Sequence, residues 1–439
     1  MGAFTVIFIH VLILLGAIVI GARMGSVAIG AAGGLGVLLL GATGIPVTQD
    51  DIPFDVVGII MCVIVAIAAM QRAGGMDFLV HLAERFLRRN PKQITLWAPV
   101  VTYLMTVAAG TGHTAYSTLP VIVEVAKEGR VRPSRPLSVA VVASQMAIVA
   151  SPISAAVVFM ASAVEPLGVS YLTLLAIMIP ATALAIIPSS LVANRMGKEL
   201  EDDPVYRDRV ERGLVSHPAA SGYTEQKGAK ASVGIFLAAI ALVVFYATIT
   251  SDQVGLIAEP TVPRNEAIMA IMLTTAAAIT AVTRIPAAEI VTTQVFRSGM
   301  SAAVCVLGVA WLGTTFINHY LEDIQGLAGD VLGAQPWLLA VVLFFAACLL
   351  YSQAATAKAL IPAAIAIGVS PLTAVAAFPA VSALFVLPTY PTLLAAVEMD
   401  DTGSTRIGKL VFDHPFIIPG VVNIVVSVLL AYLIGSVLI

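Results

Sequence analysis

TVAAGTGHTAYSTLPVIVEVAKEGRVRPSRPLSVAVVASQMAIVASPISAA (Thr106–Ala156) decides how this chain folds. Apolar runs are broken there twice, at Gly110-Thr111-Gly112-His113-Thr114 and at Ser151-Pro152-Ile153-Ser154. A faint copy lies at Cys348–Val397, CLLYSQAATAKALIPAAIAIGVSPLTAVAAFPAVSALFVLPTYPTLLAAV, broken at Ser352-Gln353-Ala354-Ala355-Thr356 and at Pro388-Thr389-Tyr390-Pro391-Thr392. Breaks inside membrane-length apolar segments, repeated at matching places in two halves, are the sequence pointer to a carrier's binding site.

The rest of the chain is membrane-like. Of 439 residues, 59% are hydrophobic and 11% charged, less than half the charge of an ordinary soluble domain. Apolar runs of about 18 residues or more recur, as spanning helices require. We read spans near 3–22, 25–45, 54–71, 137–164, 169–194, 231–250, 265–283, 298–314, 369–398 and 414–438. Two further apolar stretches, 94–127 and 337–368, read as re-entrant hairpins, and Gly74–Arg89 as a short interfacial helix. No cleavable signal follows Met1. Cys62, Cys305 and Cys348 lie in apolar segments without CxxC spacing and read as small buried residues, so no metal site is expected.

Basic residues set the orientation. With the amino terminus outside and each hairpin returning to its own side, 21 of the 23 Lys and Arg fall on the cytoplasmic side. Arg264 falls outside and Lys358 at membrane depth, while the outer loops carry Asp50, Asp51, Asp252, Glu259, Glu322, Asp323 and Asp330. That asymmetry is the positive-inside bias. Counting either hairpin as a single span puts basic clusters on the wrong side.

The fold class is then an all-α polytopic membrane protein built as two inverted repeats. Each has five spans and one re-entrant hairpin, with helices broken at the midplane. The first repeat is 1–194 (hairpin 94–127, broken helix 137–164), the second 231–439 (hairpin 337–368, broken helix 369–398), and 195–230 is a cytoplasmic linker of mixed charge. Pro91 aligns with Pro336, Leu119-Pro120 with Ile361-Pro362 and Ser151-Pro152 with Leu387-Pro388. Phe316–Val331 is the expected outer counterpart of the interfacial helix.

A backbone break in hydrocarbon strands N–H and C=O groups, so it persists only where protein or ligand satisfies them. Ser151-Pro152 reads as an N-cap hydroxyl followed by a first-turn proline, and Tyr390-Pro391 is similar, with Thr389 and Thr392 beside it. The returning hairpin arms begin near Thr114 and Thr356. Four half-helices would then start near the midplane, each with a partial positive charge and free N–H donors. Two pairs of such ends suit a small ligand with two anionic ends. Candidate contacts are Thr111, Gly112, His113, Thr114, Ser151, Ser154, Ser352, Gln353, Thr356, Lys358, Thr389, Tyr390 and Thr392. Lys358 would offset substrate charge or act in coupling, or else snorkel or pair structurally. His113 is titratable or simply a satisfied tip residue. Glu124, Asp400, Asp401 and Arg406 are gating or coupling candidates at the cytoplasmic edge, where an Asp–Arg gate pair and a plain interfacial turn are both open readings. Gly30-Ala31-Ala32-Gly33-Gly34 reads as a close-packing stripe. There is no HExxH, no G-x-S-x-G elbow and no P-loop, so no enzyme site or ATP drive is expected, and no cofactor or nucleic-acid partner.

IPFDVVGIIM (52–61), QRAGGMDFLVH (71–81), LRRNPKQIT (87–95), AGTGH (109–113), LPVIVEVAKE (119–128), ASPISAAVV (150–158), GVAWLG (308–313), LLYSQAATAKALIP (349–362), LPTYPTLLAAV (387–397) and MDDTGSTRIGK (399–409) resemble the anaerobic C4-dicarboxylate uptake (Dcu) family, nearly end to end and closer to its A-type members than its B-type. The resemblance implies antiport or proton-linked uptake of fumarate, succinate, malate and aspartate across the bacterial inner membrane. It also implies ten spans with both termini periplasmic, and elevator-like alternating access. A homodimer in membrane lipid is the expected assembly. Other small-anion carriers (citrate, gluconate, a monocarboxylate), or a carrier doubling as a sensor's partner, are the alternatives.

Overall fold

Two faces and a crossing between them organise the computed structural model. It describes residues 3–24, 27–52, 54–215, 224–250, 256–257, 260–320, 335–350, 352–387, 390–408 and 413–439. Those residues form helices and connecting turns only. In order they are α1 Ala3–Met24, α2 Ala28–Ala42, α3 Phe54–Arg72, α4 Gly75–Leu87, α5 Ile94–Ala109, α6 Ala115–Glu128, α7 Ser134–Met146, α8 Ala155–Val164, α9 Tyr171–Asn194, α10 Pro204–Glu211, α11 Ala229–Ile249, α12 Arg264–Thr283, α13 Gln294–His319, α14 Leu338–Leu350, α15 Gln353–Ala366, α16 Pro371–Ala377, α17 Pro391–Met399 and α18 Ile417–Leu438. Among the described residues, five helices are long and apolar enough to cross a bilayer, or seven if the two bent pairs each count as one.

One face is basic. Arg88 pairs there with Glu84, Glu124 and Glu128. Lys127 pairs with Asp401 at 2.9 Å, Arg132 with Asp203 at 2.7 Å and Arg135 with Glu199 at 2.9 Å. These bonds gather the ends of α4, α6, α9 and α17 and the start of α7. The opposite face holds the end of α8 and the start of α12, joined by Glu165 and Arg264, whose guanidinium lies 5.2 Å from the Tyr171 ring centre. α18 runs antiparallel to α9: Ser189 Oγ donates to the Pro419 carbonyl at 2.8 Å, while Gly435 sits near Ile177. The carboxyl terminus therefore lies on the Arg264 face.

Thr102 and Thr118 hydroxyls meet at 3.1 Å and Thr106 and Thr114 at 2.6 Å, so α5 and α6 are antiparallel arms with a tip between them. Gly110 makes the turn in the left-handed region (φ 68°), where glycine carries no Cβ penalty. At the open end Gly129 packs onto the Pro91 backbone, so the hairpin leaves where it entered.

Three details differ from the sequence reading. The linker, read as a polar loop, carries a helix: α10 docks on the basic face through its N-cap Asp203, which Arg132 and Arg406 grip. Phe316–His319 continues α13, and 321–331, the rest of the expected outer helix, lies outside the described residues. The second broken helix unwinds earlier than its Pro388 suggests: α16 stops at Ala377, a 3-10 segment follows over Phe378–Ser382, and regular helix resumes at Pro391. Pro379 in that segment has no N–H to continue an α-helical ladder.

Most buried apolar residues among the described ones fall into three clusters. The largest holds α5–α9 and α14–α18, so it contains both hairpins and both broken helices. A second joins α3, α4, α11 and α12. A third packs α1 and α2 on the end of α13.

Candidate functional site

α7 winds into a 3-10 turn at Ala147–Ala150 and stops at Ser151, whose extended backbone (φ −84°, ψ 126°) is what a following proline demands. The helix restarts at Ala155 with Ser154 as its N-cap, accepting from Val157 N–H at 3.2 Å. The cap is thus Ser154, not Ser151: Ile153 and Ser154 stay outside the helix, and the helix-initiating hydroxyl falls three residues later. Ser151 Oγ instead donates to the Val107 carbonyl at 2.7 Å, tying the break to the first hairpin tip. Ser154 Oγ also donates to the Ile148 carbonyl at 2.6 Å, and the Tyr171 hydroxyl bonds the Pro152 carbonyl. Backbone groups that the break strands are therefore met by side chains, as burial requires.

The tip of the first hairpin rests on the same segment. A Cβ at Gly112 would stand 3.7 Å from the Ser144 carbonyl oxygen, and Gly110 abuts Ile153. Thr111 is half-buried, Thr114 is buried and bonded to Thr106, and the His113 side chain lies outside the described residues. The returning arm starts at Ala115. Tyr116, in its first turn, is within electrostatic range of Tyr390.

The second hairpin arrives at the segment from the other side. α15 starts at Gln353, three residues before the expected Thr356, because Ser352 caps it by accepting from Ala355 N–H at 3.2 Å. Thr356, fully buried, donates to the Ser352 carbonyl at 2.8 Å. Gln353 Nε2 donates to the Gln145 carbonyl at 3.2 Å, and Ser382 Oγ, from the unwound part after α16, donates to the same oxygen at 3.2 Å. Lys358 is half-buried on α15. Thr392 is buried in the first turn of α17 and its hydroxyl has no partner, while Thr389 lies outside the described residues.

The structure thus brings the two tips and the two breaks together around Ser144 and Gln145. Of the hydroxyls read as ligand contacts, Ser154 and Ser352 cap helix starts, and Thr114, Ser151 and Thr356 donate to backbone carbonyls. Sequence reading passed over Gln145 and Ser382. Gln145 carried a signal: it is the one carboxamide between Ser134 and Val164, in an otherwise Ala- and Val-rich span.

The gating candidates sit apart, on the basic face. Glu124 pairs with Arg88 at 3.0 Å. Asp400 is buried and ties a turn, accepting from Thr402 N–H at 3.0 Å, Thr402 Oγ1 at 2.5 Å, Ser404 Oγ at 2.8 Å and Thr405 N–H at 2.6 Å. Arg406 reaches Asp203 at 3.3 Å. The plain turn is the reading this geometry supports for Asp400. Asp401 links Lys127 of the first hairpin to the end of α17. Burial works to raise the Asp203 pKa, but the Val205 N–H, the Arg132 guanidinium and the Arg406 charge together hold it below 3.8.

A family model described as anaerobic C4-dicarboxylate membrane transporter matches residues 6–439. The chain belongs to this family. It is 59% identical over 429 residues to the C4-dicarboxylate transporter DcuA of Wolinella succinogenes, covering 98% of this chain and 99% of that one. It is 54% identical, over the same shares, to the DcuA of Escherichia coli K12. The anaerobic C4-dicarboxylate transporter DcuB of E. coli O6:H1 is 36% identical over 98% of both chains, so this member stands nearer the A-type, as the resemblance implied. Among solved structures the fold is similar to the Alcanivorax borkumensis YdaH transporter, with TM-score 0.58 and 14% identity over 87% of this chain and 86% of that one.

Proposed function

We propose that this family member carries C4-dicarboxylates (fumarate, succinate, malate and aspartate) across the bacterial inner membrane as a secondary transporter. Near-full-length 59% identity to a C4-dicarboxylate transporter carries that reading. It is a carrier, not an enzyme.

The helix starts supply the chemistry. α6, α8, α15 and α17 begin at the junction of tips and breaks. Each start presents N–H donors and about half a positive charge. Opposed pairs of such ends complement a molecule with a carboxylate at each end. The first hairpin has arms of 16 and 14 residues, about 24 and 21 Å, against a hydrocarbon core of about 30 Å. With its open ends adjacent, a tip held within the bilayer follows. The cytoplasmic side is the basic face, which puts both termini in the periplasm.

Alternating access is elevator-like in this reading. The large cluster that contains hairpins and broken helices moves as one block against the α3, α4, α11 and α12 cluster and the α1, α2 and α13 frame. Exchange is antiport or proton-linked, and the working assembly is a homodimer.

The test is counterflow. Proteoliposomes loaded with succinate should take up labelled external fumarate, and imposed proton and sodium gradients assign the coupling. Absence of succinate–fumarate exchange by correctly inserted protein sinks the proposal.

A further inference from the structure

Gln145 ends α7 one residue before its last, about 17 Å along the helix from Ser134 on the basic face. Its side chain is 1% exposed, and neither Nε2 nor Oε1 has a hydrogen-bond partner. Exchanging the two ends of the amide changes nothing, because both are unmet. The backbone carbonyl of the same residue is served twice, by Gln353 and Ser382. A buried donor or acceptor left unmade costs more than the bond itself contributes, and here one group carries both. Such a group at the junction of two hairpin tips is built for something that enters it.

The shape of the deficit specifies the ligand. A carboxamide offers a donor and an acceptor about 2 Å apart and coplanar, so it is satisfied in full by a neighbouring acceptor and donor on one molecule. A C4-dicarboxylate with no polar substituent on carbon 2 offers only carboxylate oxygens there; these serve Nε2 and leave Oε1 unmet. A 2-ammonium or 2-hydroxyl group beside the carboxylate supplies the missing donor.

We infer that Gln145 reads carbon 2 of the substrate: Nε2 donates to a carboxylate oxygen and Oε1 accepts from a 2-ammonium or 2-hydroxyl group, favouring 2-amino and 2-hydroxy C4-dicarboxylates over unsubstituted ones. This rests on the carrier reading above and adds a selectivity element to the same site. No bond is made or broken. The helix starts hold the two charges, whereas Gln145 contributes discrimination, because a site that loses a hydrogen-bond partner from the ligand leaves its own polar atom stranded.

Full-length protein in proteoliposomes is assayed by counterflow of labelled succinate, with unlabelled succinate, fumarate, L-malate and L-aspartate as competitors. Gln145→Leu removes donor and acceptor at similar volume. Expected are inhibition constants for L-malate and L-aspartate raised about tenfold relative to those for succinate and fumarate, the scale of one lost hydrogen bond to a charged or polar partner. Gln145→Asn, which keeps the carboxamide on a shorter stem, should recover part of that ratio. Equal shifts for all four competitors, the signature of a structural role, overturn the inference, as does no shift at all. If Gln145→Leu no longer exchanges succinate, thermal stabilisation of the purified variant by each of the four compounds is read with the same ratio criterion. Wild type that exchanges succinate but is not inhibited by L-malate or L-aspartate overturns this inference and leaves the carrier reading standing; wild type without succinate exchange sinks the carrier reading itself.

Discussion

The hydroxyls of Thr102 and Thr118 stand 3.1 Å apart between α5 and α6, both fully or almost fully buried. With Thr106 and Thr114 one turn nearer the tip at 2.6 Å, they form two rungs of the hairpin. Thr102→Val leaves the Thr118 hydroxyl with only the Ala115 carbonyl at 3.1 Å, and should cost about 1 kcal/mol, in line with interhelical hydrogen bonds in membranes. The double variant Thr102→Val with Thr118→Val should cost clearly less than the sum of the singles, since removing both partners strands neither. Thermal unfolding of the four proteins in detergent tests this; strict additivity would show that the rung contributes nothing.

Ser154 joins both sides of the first break, capping α8 through Val157 N–H and donating to Ile148. Ser154→Ala should destabilise the protein by about 1–2 kcal/mol, the scale of a lost N-cap. It should also slow exchange, because the half-helix start that it orders faces the tip. Unchanged melting temperature and unchanged succinate–fumarate counterflow together would remove Ser154 from the site.

The helix breaks after Ala109 and before Gln353 were legible because glycine, serine and threonine interrupt apolar runs there. Gly110 in the left-handed region and Ser352 as a cap are local features, and local features show in a sequence. Which of two nearby serines does the capping depends on how the chain turns after Pro152, and Ser151 was taken by Val107, 44 residues away. The docking of α10 depends on Asp203 meeting Arg132 and Arg406, a pairing across about 70 and 200 residues that no local pattern encodes. Gln145 shows the reverse: its type was visible, but the burial that leaves its amide unmet arises only in the packed fold.

Asp203 gives the protein an acid limb. Its carboxyl titrates below 3.8 in the folded state despite burial. A lowered pKa means stability that is fully present above the unfolded value and is lost as pH falls through the folded one. Asp203→Asn should be less stable than wild type by about 2 kcal/mol near neutral pH. The gap should hold down to about pH 5 and narrow below about pH 4, since only wild type has this carboxylate to protonate. A gap that widens on acidification would contradict the assignment.

Lys127 and Asp401 tie the open end of the first hairpin to the end of α17 at 2.9 Å, with Lys127 half-buried. Lys127→Met should cost about 1–3 kcal/mol, between the values for exposed and fully buried pairs. Charge reversal at either position should lower exchange further, and combining Lys127→Asp with Asp401→Lys should recover part of the loss. Recovery in the double variant is the decisive reading, because two unrelated surface charges would give additive losses.

The α2–α13 crossing rests on backbone contact. A Cβ at Gly308 would stand 1.9 Å from the Gly30 carbonyl oxygen, and one at Gly33 would stand 2.4 Å from the Gly308 carbonyl carbon; neither backbone can yield without parting the helices. At Gly34, one residue on, nothing lies within 4 Å. Small residues are what allow two helices to approach this closely in lipid, where dispersion contact replaces the hydrophobic drive between them. Gly308→Ala should therefore reduce folded yield and lower the melting temperature, whereas Gly34→Ala should leave both unchanged, or raise them slightly through better helix propensity. Fluorescence-detected size exclusion of the two variants compares them directly. Equal behaviour would mean that α2 and α13 are not held at this distance, and the frame against which the hairpin block moves would need to be sought elsewhere.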